Sequence, residues 1–233
     1  MTTTNLEQLK ELLARVSDLS AVSALLDWDQ QVNMPPGGSE ARAHHMSTVE
    51  SLAHRLFIAD EIGELLERAA EETANLPDDS DAASLVRVTR RDYDRMRRVP
   101  ESLVAERARA TSRAFDAWQK ARAESEFERF RPHLERVLGL TIEYAEAVGY
   151  EDCIYDALLD QFEPRVKTAQ VVRVFEGLKG GLLPLLQAIL EQGQPVDDSL
   201  LDGVYPDRPQ WDFGTLVLKD MGFDFNHGRQ DRS

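Results

Sequence analysis

The chain has 233 residues, with 27 Lys plus Arg against 42 Asp plus Glu, a formal charge of −15. Apolar residues make up 42% and there is a single cysteine, Cys153, so a core can be buried; whole-chain disorder, a disulfide framework and a cysteine-rich zinc site are excluded. The strong negative charge excludes general binding to nucleic acid or anionic lipid, and no apolar run is long enough to span a membrane.

The first expected element is a helix over 5–32, with Leu6, Leu9, Leu12, Leu13, Val16 and Leu19 at steps of three and four. Thr4 and Glu7 fit a capping box at its start. Met34-Pro35-Pro36-Gly37-Gly38 stops it, because proline cannot continue a helix and glycine favours a turn. Ser39 is the expected cap of a second helix to about Phe57. Asp60 is the expected cap of a third, through Ile62, Leu65, Leu66 and Ala69, broken at Leu76-Pro77-Asp78-Asp79. A fourth covers about 80–99. Pro100 is read as the first residue of a fifth that continues to about Ser125.

A sixth helix is expected over 127–148, with Pro132 in its first turns and Gly149 at its end. A short one follows over 154–162. Thr168 is the expected cap of a longer helix through Val171, Val174, Phe175 and Leu178. Residues 192–209 are rich in turn formers. The last helix is expected over 210–221, with Gly222 after it. No pair of alternating strands is present. The expected fold is therefore all-α: long antiparallel helices joined by short turns, one helical region over 1–233 with a long helical hairpin at about 60–125.

Charge is uneven along the chain. Residues 60–81 hold nine acids and one Arg, net −8, whereas residues 87–113 hold nine Arg and four acids, net +5. The expectation is two neighbouring helices laced by ion pairs on a solvated face, the alternative being an electrostatic docking patch for an acidic partner. The Met1-Thr2-Thr3-Thr4-Asn5 start has no basic stretch leading into an apolar run, so the expected setting is cytoplasmic.

A zinc peptidase needs two imidazoles one helical turn apart and a Glu beside the first. His44, His45, His54, His133 and His227 supply no such spacing. Glu40, His44, Glu50 and His54 share about 120° of the second helix. They are either the start of a ligand cluster completed by another helix or an ordinary polar face of Glu–His pairs, the second being the expected case. Cys153 follows two acids, Glu151 and Asp152, which disfavour its thiolate, and it is read as a small buried residue. No nucleophile elbow or phosphate-binding glycine loop is present.

Three segments are unlike ordinary helix surface. One is Asp27-Trp28-Asp29 running to Met34-Pro35. The second is Tyr155-Asp156-Ala157-Leu158-Leu159-Asp160. The third is Gly222-Phe223-Asp224-Phe225 with Gly228-Arg229. In this order and spacing they resemble the carboxypeptidase Taq family of metallocarboxypeptidases, from about Leu6 to Ser233.

The resemblance implies a fold about twice this length, zincin-like and mostly helical, with a deep groove. It implies homodimers that remove C-terminal residues from peptide substrates with zinc or a similar divalent metal. It places the His-Glu-x-x-His helix beyond Ser233, so this chain is expected to be the N-terminal half, truncated, inactive alone and without a metal of its own. No catalytic or metal residue is assigned. Asp27, Trp28, Asp29, Met34, Tyr155, Asp156 and Asp160 are the candidate structural or cleft-lining positions. The competing expectation is a free-standing acidic helical module for interaction or dimerisation. Phe213, Leu216, Val217, Phe223 and Phe225 are expected to lie exposed and to promote association.

Overall fold

The computed structural model describes residues 4–194 and 196–232. Among them are helices α1 Asn5–Val32, α2 Ser39–Phe57, α3 Asp60–Thr73, α4 Asp81–Met96, α5 Glu101–Glu124 and α6 Phe127–Val148. α7 Ile154–Leu159, α8 Thr168–Gln192 and α9 Asp207–Asp220 follow, with short 3-10 turns at Pro36–Gly38 and Ser199–Leu201. There is no strand among the described residues, and the fold is all-α.

The capping box forms: Glu7 N–H donates to Thr4 Oγ1 at 3.2 Å and Thr4 N–H to Glu7 Oε2 at 3.0 Å. Other ends depart from expectation for local reasons. Ser39 does not cap α2, because the preceding 3-10 turn already brings Gly38 into helical geometry, at φ −85° and ψ −12°. Asp60 is the first residue of α3, where its carboxylate meets the helix N-terminus. Pro100 sits extended just before α5 and accepts from the Leu103 and Val104 amides. α4 ends at Met96, short of the expected end, and Val99, the residue before Pro100, is steered away from helical geometry. α9 starts at Asp207, three residues sooner than expected; Pro209 falls in its first turn, where a missing N–H costs nothing.

The chain divides into two compact units, residues 1–168 and 169–233. In the first, neighbouring helices run antiparallel. Ser23 meets Glu50, whereas Leu26 and Asp29 meet Arg42, so α1 and α2 run in opposite directions. Along α2 and α5, Glu40 meets Arg113, Ser47 meets Arg109 and His54 meets Val99. One core gathers Leu9, Ile62, Leu65, Leu66, Ala69, Val86 and Tyr93 from α1, α3 and α4. A second gathers Leu103, Ala110, Leu140, Tyr144, Ala145 and Val148 from α5 and α6, with Val99 and Ala157.

The arginines of 87–113 do not mainly lace α4 to α3. Arg97–Asp60 at 3.2 Å is the one ion pair between the two charge runs among the described residues. Arg91 and Arg95 instead reach Asp160, Arg98 donates to the Val148 carbonyl at 2.8 Å, and Arg113 pairs with Glu40. A guanidinium on a long stem reaches past its own hairpin, so run-by-run charge counting misplaces its partner.

In the second unit no described residue is buried. α8 exposes Phe175, Leu178, Leu182, Leu186 and Ile189 along one face. Phe213, Leu216, Val217 and Phe223 lie exposed as expected, whereas Phe225 is half-buried, its ring 4.8 Å from that of Phe223.

Candidate functional site: a cleft between α1, α2 and α5

Antiparallel α1 and α2 meet α5 along small residues. Ala43 and Ser47 of α2 and Ala108 and Ser112 of α5 are buried. Ser112 Oγ donates to Gln30 Oε1 at 2.8 Å, and Gln30 Nε2 donates to the Ser112 carbonyl at 3.1 Å. This two-way bond fixes the far end of α1 against α5. Behind it the three helices diverge around a cleft of about 740 Å³.

The walls of the cleft are mostly apolar, from Leu19, Phe57, Met96, Val99 and Val104. Its polar lining includes Ser20, Ser23, Asp27, Glu50, His54, Arg107, Thr111 and Gln161. Ser23 Oγ donates to Glu50 Oε1 at 3.2 Å. Burial pushes the Glu50 carboxyl above its ordinary value, against the smaller lowering effects of Ser23 and Arg107, and nearby Asp27 adds to the rise. The Arg107 guanidinium lies 4.2 Å from the centre of the Tyr144 ring. His54 Nε2 is 2.9 Å from the Val99 carbonyl, and burial holds its pKa below the ordinary value.

The sequence-derived positions fall into two groups. Asp27 lines the cleft and accepts from Gln31 Nε2 at 2.8 Å. Trp28 is half-buried. Asp29 takes Arg42, whose other nitrogen donates to the Leu26 carbonyl, so one guanidinium ties the end of α1 to α2. The Arg42 hydrogen bond holds the Asp29 carboxyl below its usual value. Met34 packs on Gly38: a Cβ there would stand 2.9 Å from Met34 Cγ, which gives the Pro-Pro-Gly-Gly turn its glycine.

The second group surrounds α7. Asp156 is buried, and its Oδ1 accepts from the Thr168 amide at 2.8 Å and hydroxyl at 2.6 Å. Those bonds hold its pKa down. Thr168 is thus the first residue of α8 and is held from a distance, rather than capping the helix itself. Asp160 accepts from Arg91 at 2.7 Å, from Arg95, and from the Arg165 amide at 2.7 Å. Burial raises its pKa, but these donors outweigh it and the net shift is downward. Tyr155 is exposed, and Cys153 is partly exposed rather than buried.

In the second unit, Asp224 folds its loop by accepting from the Asn226 amide at 2.8 Å and pairing with His227 Nδ1 at 2.6 Å. Gly228 lies against Phe223, where an added Cβ would meet the ring at 2.6 Å.

The residues present do not fit the zinc centre. Among the described residues no group of three or more His, Cys, Asp or Glu is arranged to hold a metal ion. Glu40 is 3.3 Å from His44 and bonds Arg113 at 2.9 Å on the exposed side of α2, whereas Glu50 and His54 turn into the cleft toward Ser23 and Val99. The ligand-cluster alternative for these four is thereby set aside. Sequence reasoning missed Ser23, Arg107 and Tyr144. The legible signal was Arg107 within the basic run, but its spacing does not distinguish a cleft-facing arginine from a solvated one.

The fold and cleft define an all-helical wall that lacks a metal centre among its described residues. The chain belongs to the family described as Carboxypeptidase Taq (M32) metallopeptidase, matched over residues 8–233. Thermostable carboxypeptidase 1 of Thermus thermophilus is 37% identical over 237 residues, covering 97% of this chain and 46% of that protein. Carboxypeptidase 1 of Bacillus subtilis is 30% identical over 223 residues, covering 96% and 44%. The crystal structure of BsuCP matches with a TM-score of 0.90 at 29% identity, covering 97% of this chain and 45% of that one. A Pyrococcus furiosus carboxypeptidase structure matches with a TM-score of 0.74 at 30% identity, covering 97% and 45%. The chain spans about half the length of the curated relatives it matches.

Proposed function

We propose that this chain is the N-terminal helical region, residues 1–233, of a zinc-dependent metallocarboxypeptidase that removes C-terminal residues from peptides. It supplies groove wall, and the metal and its general base come from the other half of the enzyme. The carrying observation is the family match over residues 8–233 together with the lack of a metal-holding group among the described residues. In this reading Asp29, Asp156 and Asp160 are clamps that hold helix ends, and Asp27 faces the cleft. The enzyme is a cytoplasmic homodimer; no described helix is long and apolar enough to cross a membrane.

The test is an assay of the purified chain with zinc or cobalt on a blocked dipeptide. No metal-dependent release of a C-terminal residue is expected. A hybrid in which this chain replaces the corresponding part of Bacillus subtilis Carboxypeptidase 1 is expected to release it. Release by the chain alone, or a folded hybrid without activity, overturns the proposal. The second reading, an acidic helical module for interaction or dimerisation, draws on the uncovered apolar residues of the second unit. A monomeric sedimentation profile at all concentrations removes it.

A further inference from the structure

We propose that the cleft between α1, α2 and α5 binds a free amino acid with an apolar side chain, its ammonium group on Glu50 and its carboxylate on Arg107. Two opposite charges face the same cleft without pairing to each other. Glu50 is hydrogen-bonded to the Ser23 hydroxyl, and no carboxylate forms an ion pair with Arg107 among the described residues. Arg107 nevertheless acts on the Glu50 carboxyl through space. A gap between unlike charges in an apolar cleft is complementary to a zwitterion, which places unlike charges on neighbouring atoms.

The details suit each end. The Arg107 guanidinium carbon lies 4.2 Å from the centre of the Tyr144 ring, and arginine favours a carboxylate in a two-point geometry. Asp27 adds negative charge on the Glu50 side, which favours an ammonium there. His54 is already engaged with the Val99 carbonyl. Between the charged groups, Leu19, Phe57, Met96 and Val104 offer an apolar bed for a side chain. A partly desolvated carboxylate gains most when a cation arrives with it. The volume of about 740 Å³ lies within the range of small-molecule sites. A peptide interior carries neither charge and does not meet this demand. The proposal stands independently of peptide hydrolysis.

The experiment is calorimetric titration of the 233-residue chain with L-leucine, N-acetyl-L-leucine and L-leucinamide. Leucine is expected to bind, and each blocked form to bind at least ~10-fold more weakly, since each leaves one charged side chain unpaired. Glu50→Gln is expected to abolish the preference for leucine over N-acetyl-leucine, and Arg107→Gln the preference over leucinamide. Should either variant fail to fold, the three-ligand comparison on the unaltered chain still decides. Absence of leucine binding at millimolar concentration, or equal binding of leucine and either blocked form, overturns the proposal. No peptidase activity is read, so this outcome is separate from that of the hydrolysis assay.

Discussion

Asp160 draws two arginines and a backbone amide to one carboxylate, joining the end of α7 to α4. Asp160→Asn keeps the shape and removes the charge, leaving Arg95 without its anion and Arg91 with Asp92 alone. The expected loss is about 1.5–3 kcal/mol in urea unfolding at pH 7. The folded pKa of Asp160 is lowered, so its contribution is complete above the unfolded value of about 3.9 and fades as pH falls through the lower folded one. The gap between variant and unaltered chain should therefore close on acidification; a gap independent of pH would contradict the clamp. Glu50 works in the opposite sense. Its folded pKa is raised, so the ionised form weakens the fold at neutral pH and the penalty disappears below the unfolded value of about 4.3. Glu50→Gln should melt higher than the unaltered chain at pH 7, and the two should converge toward pH 4 in thermal scans.

Between α3 and α4 the fit is set by one glycine. A Cβ on Gly63 would press on the hydroxyl of buried Tyr93 and stand 3.0 Å from its Cζ. Gly63→Ala is expected to destabilise by about 1–3 kcal/mol despite its better helix propensity; a more stable variant in denaturant titration would show that the ring yields freely. The helices themselves were legible because apolar steps of three and four survive in any amphipathic helix. Their ends were less so. Whether Ser39 or Asp60 caps depends on the backbone entering each helix, and Gly38 and Ala59 set that entry. The cleft was least legible: Ser23, Glu50 and Arg107 lie on three helices, and no spacing within one helix registers their convergence. Asp29 and Asp160 stood out as motif residues, but Arg91 and Arg95, the partners of Asp160, were hidden in a run that looked like solvated surface, and Arg42, the partner of Asp29, lies on another helix.

Across the whole chain the two units differ sharply in burial. The first has two apolar cores. The second has no buried residue among those described and carries a long apolar face on α8. Exposed faces of this kind promote association and leave backbone open to proteases. Limited proteolysis should cut first within residues 193–206, between α8 and α9, and sedimentation should show association that grows with concentration. Early cleavage within α2 or α5 would reverse the assignment of the well-packed unit. The sequence marked Phe213 and its neighbours for exposure but placed only a long helix at α8, since periodicity shows that a face is apolar and not what covers it.

The buried alanines at 110, 114, 117 and 121 recur at helical spacing along α5. Such a row acts as a ceiling on bulk. A library at these four sites should retain Ala and Ser and discard Val, Leu and Phe, so that tolerance there is ranked by girth rather than by oiliness.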